Sequence, residues 1–136
     1  MRKPILSAVV ALAALAGAPA EARDATPEPQ VSENLKKIKL PPGFSISLYA
    51  SGLPEARQMA WGEKGTLFVG SFDAGAIYAV TEQGGERTVR TLVKGLTMPT
   101  GVAFRDGALY VAAVNRILRY DRAEESLDRM PAPKVV

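Results

Sequence analysis

Gln58-Met59-Ala60-Trp61-Gly62-Glu63-Lys64-Gly65-Thr66-Leu67-Phe68-Val69 is the stretch whose reading settles the fold. It is a short apolar run, a polar turn closed by Gly65, and a second apolar run. The same grammar returns in Gly101-Val102-Ala103-Phe104, a turn ending in Gly107, and Leu109-Tyr110-Val111. Trp61 pairs with Phe104, Leu67 with Leu109, and Ile77 with Ile117, each at a spacing of about 40–45 residues. Earlier in the chain, Tyr49-Ala50-Ser51-Gly52-Leu53 matches Leu92-Val93-Lys94-Gly95-Leu96 at the same spacing. That period belongs to a four-stranded propeller blade.

Outward from this repeat the texture is the same. Phe44, Ile46 and Leu48 alternate with Ser45, Ser47 and Tyr49, as in a strand. Runs at 58–61, 66–71, 76–81, 89–93, 101–104, 108–114 and 117–121 are rich in Val, Ile, Leu, Tyr and Phe. Gly, Asp, Asn or Pro stands between most of them. The pattern predicts an all-β fold, a partial β-propeller over residues 38–136. Blade one covers 57–93 and an incomplete blade two covers 100–136. Phe44–Ala50 is expected as an outer strand that closes the ring. Its inner strands would come from the other end of the propeller. A blade has no centre of its own and buries its faces only on its neighbours. That accounts for runs apolar on both faces, such as Leu67-Phe68-Val69. A helix is expected only across Arg122 to Asp128, and Pro133–Val136 is the one stretch that can begin blade two's outer strand. Two similar but unrelated hairpins are the plainer alternative, and the several registrations at one period weigh against it.

The N-terminus has a different character. Met1-Arg2-Lys3 is basic, Ile5 to Gly17 is apolar, and Ala18-Pro19-Ala20 supplies small residues. This order reads as a signal peptide over 1–20, cleaved after Ala20. The run is short for a membrane span, which takes about 20 apolar residues. The mature protein is therefore expected to be exported to the periplasm, with no membrane partner after cleavage. Residues 21–37 read as a flexible leader.

The chain carries 17 basic and 14 acidic residues, a formal charge of +3. Loss of Arg2 and Lys3 with the signal brings this to about +1. Lys36-Lys37-Ile38-Lys39 is the only local basic cluster and reads as a solvated segment, so no nucleic-acid partner is expected. There is no Cys and no His. A disulfide, a thiol nucleophile and the commonest general base are thereby excluded. Across 136 residues, roughly two and a half blades fit after the leader. Propellers typically have four to eight. The chain is thus read as a fragment of a longer protein rather than a unit that assembles from several copies. Alone, it is expected to aggregate or be proteolysed through open strand edges.

Six motifs in order carry a resemblance. They are Leu40-Pro41-Pro42-Gly43-Phe44-Ser45-Ile46, Gln58-Met59-Ala60-Trp61, Gly65-Thr66-Leu67-Phe68-Val69-Gly70, Gly75-Ala76-Ile77-Tyr78-Ala79-Val80, Pro99-Thr100-Gly101-Val102-Ala103-Phe104 and Ile117-Leu118-Arg119-Tyr120-Asp121. Together they resemble the N-terminal part of the sorbosone dehydrogenase-type, pyrroloquinoline-quinone (PQQ)-dependent sugar dehydrogenases (the soluble glucose/sorbosone dehydrogenase family), over roughly 38–136. The resemblance implies a six-bladed periplasmic propeller with PQQ over its central channel and calcium holding the cofactor. It also implies hydride transfer from an aldose or aldehyde sugar to the quinone, a His base, and an electron acceptor. This chain departs from the pattern. It has no His. Leu96-Thr97-Met98-Pro99 has no Gln where glucose-type members carry a polar substrate contact. Phe72 stands where many relatives have Arg. No catalytic or metal residue carries over, and the chain alone is expected to be inactive.

Arg57, just before the inner strand of blade one, and Asn115 and Arg116, in a turn of blade two, could face the channel and meet a cofactor carboxylate. Ordinary solvated loops are the alternative. Trp61 and Phe104 share a repeat position and read as core packing between blades. Asp73 and Asp106 read as turn residues. Two further functions stay open: a non-enzymatic ligand- or protein-binding propeller, and a propeller lactonase with metal-bound carboxylates.

Overall fold

The computed structural model describes residues 28–136. The expected signal peptide over 1–20 and the start of the expected leader lie outside the described residues.

Among the described residues, eight strands form two four-stranded antiparallel sheets, each joined in simple chain order. The first holds β1 (Ala56–Trp61), β2 (Leu67–Ser71), β3 (Ile77–Gln83) and β4 (Glu86–Val93). The second holds β5 (Gly101–Arg105), β6 (Ala108–Ala113), β7 (Arg116–Tyr120) and β8 (Lys134–Val135). The Met59 and Val102 runs thus lie in different sheets, as successive blades require. Tight turns join the strands, and Gly65, Gly84, Gly85 and Gly107 take positive φ there.

Alternation along each strand gives each sheet two faces. In the first sheet Met59 lies opposite Val69, Trp61 opposite Leu67, and Val69 opposite Tyr78, which puts them on one face, here called the front. Ala60, Phe68, Ile77 and Ala79 form the back. In the second sheet Val102, Phe104, Leu109, Val111, Leu118 and Tyr120 form the front, and Ala103, Tyr110, Ala112, Ile117 and Arg119 the back. The main core lies where the back of the first sheet meets the front of the second. Phe68, Ile77, Ala79, Val102, Leu109, Val111, Leu118 and Tyr120 are buried together there. The Phe68 and Phe104 rings stack with centroids 5.4 Å apart. A second cluster of Leu67, Val69, Ala76, Tyr78 and Val80 lies on the front of the first sheet, with Ala50 and Leu53 against it.

The repeat explains that arrangement. Leu92, Val93 and Leu96 pack on the core in front of the second sheet, and their counterparts, led by Ala50 and Leu53, pack in front of the first. Residues 44–50 therefore lie in the sector of a preceding outer strand, but they form no ladder. The strand expected at 44–50 thus has no partner strand among the described residues. A strand exists only through its hydrogen-bonded partner, and no described strand flanks this segment.

Three other expectations change. Within the leader read as flexible, Glu28–Leu35 is a helix, α1. Pro29 fits a first helical turn because its missing N–H has no partner to lose there. Arg122–Asp128 is not a helix but a single 3-10 turn at Ala123–Glu125. Trp61, expected in the core, is 57% exposed and meets Tyr49 edge-on at 6.1 Å. Its face has no sheet in front of it among the described residues, whereas Phe104 faces the first sheet. The outer strand of the second sheet does form, as β8, with Leu118 opposite Val135.

Candidate functional site

In a four-stranded meander, the starts of the odd strands and the ends of the even strands share one end of the sheet. Here that end carries segments 51–55, 72–76, 94–100 and 114–115. All three expected cofactor-facing residues belong to it. Arg57 is the second residue of β1, Asn115 sits in the β6–β7 turn, and Arg116 opens β7. All three are exposed. They share an end of the molecule but belong to different sheets.

Arg57 is not a free cation. Its guanidinium lies 4.8 Å over the Phe72 ring. The contact holds the group against the ring while the residue as a whole stays exposed. Phe72, at the position where the resembled family often has Arg, is thus the support for Arg57.

The loops of this end are tightly built. Glu55 and Met98 have φ of 53° and 44°, in the left-handed region that side chains other than Gly, Asn and Asp seldom enter. They occupy equivalent places in the repeat, just before each inner strand. Left-handed entry into the inner strand is therefore a recurring device of the fold. The Glu55 carbonyl accepts from Phe72 N–H at 3.2 Å, and its carboxylate accepts from Ala74 N–H at 2.5 Å. Thr97 carbonyl accepts from Val114 N–H at 3.2 Å, and Leu96 N–H donates to Gly75 carbonyl at 3.0 Å. The 94–100 segment is thereby bonded to both sheets. Gly70 makes this approach possible, because a Cβ there would stand 2.5 Å from Pro99 carbonyl oxygen.

Ser71 was not singled out from sequence and closes the β2–β3 turn. Its buried hydroxyl donates to Ala76 carbonyl at 2.7 Å and accepts from Ala76 N–H at 2.8 Å. Its counterpart, Ala113, leads into a two-residue turn that needs no such bracket. A Ser before an Asp-Ala-Gly turn is the only signal that pointed to it.

The opposite end is fastened by Glu124, also not singled out. Its carboxylate accepts from Lys64 N–H at 2.9 and 3.1 Å and from Thr66 N–H at 3.1 Å. Gly62 lies against that carboxylate with no room for a Cβ. Lys64 Nζ is 2.9 Å from Glu125 Oε1. Their hydrogen bond holds the Glu125 carboxyl below the usual range and lifts the Lys64 ammonium above its own. The second sheet thus clasps the β1–β2 turn of the first.

Asp73 and Asp106 lie in turns, and Asp106 has φ of 50°, a conformation Asp tolerates. Among the described residues no three His, Cys, Asp or Glu side chains gather as metal ligands. Nor is any helix there long and apolar enough to cross a membrane. An apolar groove of about 380 Å³ lies on the front of the first sheet, lined by Tyr49, Met59, Ala60, Trp61 and Leu67.

No protein-family model matches the chain. An uncharacterized protein of Borreliella burgdorferi is 27% identical to it over 93 residues, which span 68% of this chain and 24% of that protein. The structure of the PQQ-bound form of an aldose sugar dehydrogenase from Streptomyces coelicolor is similar at a TM-score of 0.48 and 27% identity, over 64% of this chain and 31% of that one. The chain thus spans roughly a quarter to a third of the length of these proteins.

Proposed function

We propose that this chain supplies two adjacent blades of an exported, quinone-dependent sugar dehydrogenase of the sorbosone dehydrogenase type. One observation carries the proposal. The motifs that resemble that family fall in order on β1, β2, β3, β5 and β7 of two sheets stacked back to front, which is how a propeller uses them.

PQQ is a planar quinone bearing carboxylates, and it would supply the hydride acceptor. The cationic groups at the loop end suit its carboxylates in chemistry. Arg57, held over the Phe72 ring, is an exposed guanidinium whose N–H groups can donate to a carboxylate. Arg116 and Asn115 would add a second cation and an amide. The chain's contribution is to bind and orient the cofactor rim. No His is available to take the proton from a sugar hydroxyl, so proton transfer belongs to other blades of the whole enzyme. Calcium ligands would likewise come from other blades or from backbone oxygens. Periplasmic location with cleavage after Ala20, the sugar substrate and the electron acceptor belong to the same proposal.

The test is the reading frame through and beyond codon 136 in genomic DNA. Continued blades with a His-bearing segment support the dehydrogenase. Carboxylate clusters at strand starts instead would replace it with the lactonase reading, and neither would leave a binding propeller. The purified chain, given PQQ, calcium and an aldose with a redox dye, is expected to show no turnover. Robust dye reduction would contradict the division of labour set out here.

A further inference from the structure

The repeat allows a comparison of the two sectors at the loop end. Each sector enters its inner strand through a left-handed residue, Glu55 with φ of 53° and Met98 with φ of 44°. Each entry loop also gives a backbone carbonyl to the chain leaving the second strand. Glu55 carbonyl accepts from Phe72 N–H, and Thr97 carbonyl accepts from Val114 N–H. These features recur, so the fold itself asks for them. Three others mark the first sector and not the second. Glu55 has a carboxylate where Met98 has a thioether, Arg57 stands where the second sector has Thr100, and Phe72 stands where it has Val114. The three are joined in space. Glu55 Oε2 accepts from Ala74 N–H at 2.5 Å, and the Arg57 guanidinium lies 4.8 Å from the centroid of the Phe72 ring.

Around the β2–β3 turn the buried residues hold one another. Ser71 brackets Ala76, and Gly75 carbonyl accepts from Leu96 N–H at 3.0 Å. Phe72, Asp73 and Ala74 project from that frame, half-buried at Phe72 and exposed at the other two. Glu55 holds both ends of the projecting stretch, Phe72 by its carbonyl and Ala74 by its carboxylate. We propose that Glu55 is a positioning residue for Arg57: its carboxylate fixes the turn that carries Phe72, and through that ring it fixes where the Arg57 guanidinium stands. A carboxylate on a backbone N–H is a charge-assisted bond, stronger than a neutral one. The turn's own bond, Gly75 N–H to Phe72 carbonyl at 3.2 Å, leaves the Ala74 N–H for it. A long side chain loses rotamer freedom when an anion pins it, and a ring that already holds it lowers that loss. The choice of residue agrees. A glycine would take the φ of Glu55 without strain, and the carboxylate is what a glycine would lack. That Arg57 serves a cofactor carboxylate rests on the dehydrogenase reading, whereas its support by Glu55 rests on this geometry.

The experiment compares two neutral variants of the full chain, Glu55→Gln and Glu55→Asn. They remove the same charge and differ by one methylene in reach. Gln can still offer its amide oxygen to Ala74 N–H, whereas Asn, which tolerates a left-handed φ, falls short of it. The readout is the NMR proton resonance of the Arg57 side chain, which the face of the Phe72 ring shifts upfield. Phe72→Leu supplies its position without the ring. In the parent and in Glu55→Gln the resonance should stay upfield. In Glu55→Asn it should move most of the way to its position in Phe72→Leu, while the melting temperature and the Phe68 and Phe104 resonances match those of the Gln variant. Met98→Asn, at the equivalent left-handed site, should leave Arg57 where it is. An Arg57 resonance unmoved in Glu55→Asn, lost equally in the Gln and Asn variants, or moved as far by Met98→Asn would overturn the proposal. No quinone enters the measurement. An unmoved Arg57 would remove the support and leave the dehydrogenase reading standing, and a reading frame without dehydrogenase blades would remove the cofactor and leave the support standing.

Discussion

At the scale of single residues, the molecule depends on polar groups that close turns rather than on any reactive centre. Ser71→Ala would strand both backbone groups of Ala76 in a buried place. The expected cost is about 1–3 kcal/mol, read by urea denaturation. Glu124→Ala removes the acceptor of the Lys64 and Thr66 amides. Solvent reaches part of that site, so the expected loss is on the order of 1 kcal/mol. Gly62→Ala should cost a similar amount by displacing the same carboxylate, and the double variant should fall well short of additive. The Lys64–Glu125 pair gives a sign for pH. Glu125 is held low, so its contribution is present above the ordinary carboxylate range and fades as pH falls through its folded value. Lys64 is held high, so its contribution is present below the ordinary lysine range and fades as pH rises. Lys64→Met should therefore lower the melting temperature slightly at neutrality and converge with the parent in acid, which flattens the acid limb between about pH 6 and pH 3.

At the scale of elements, one feature decided what sequence could show. Strands that repeat were legible, because Leu67 and Leu109 or Ile77 and Ile117 mark the same place twice. Elements that depend on a partner were not. Phe44–Ala50 has the alternation of a strand and forms no ladder, because alternation describes faces and says nothing about the neighbouring edge. Trp61 was misplaced for the same reason: its repeat position was right, but its covering sheet is not among the described residues. Arg57, Asn115 and Arg116 share one end of the sheets, yet the support under Arg57 was invisible, because the sequence marks Phe72 only as a departure from the family pattern and not as a neighbour of Arg57. The covering role of segment 44–53 is open to test. Leu53 is half-buried against the cluster of Leu67, Val69, Ala76, Tyr78 and Val80. Leu53→Ala should cost on the order of 1–2 kcal/mol, less than the about 2–5 kcal/mol of a fully buried Leu. Phe44→Ser, at a side chain 70% exposed, should be nearly silent in the same denaturation assay.

At the scale of the whole molecule, the two sheets share one core and neither can keep it alone. A single sheet would leave either Phe68 and Ile77 or Leu109 and Val111 in water. Unfolding should therefore be one transition, with amides of β2, β3, β6 and β7 exchanging together. Phe68→Ala should cost about 3–5 kcal/mol and weaken protection in both sheets. Protection lost in the first sheet only would show that the sheets are separate folding units.

The seam between the sheets is stitched at both ends, by the Glu124 carboxylate at one and the 94–100 strap at the other, with the Phe68–Phe104 stack between them. A seam fastened in that way cannot open as a wedge, so it fixes the rotation from one sector to the next. That single angle determines how many sectors complete a circle, and it resides in a Glu, a Gly without room for a Cβ and a short stretch of backbone.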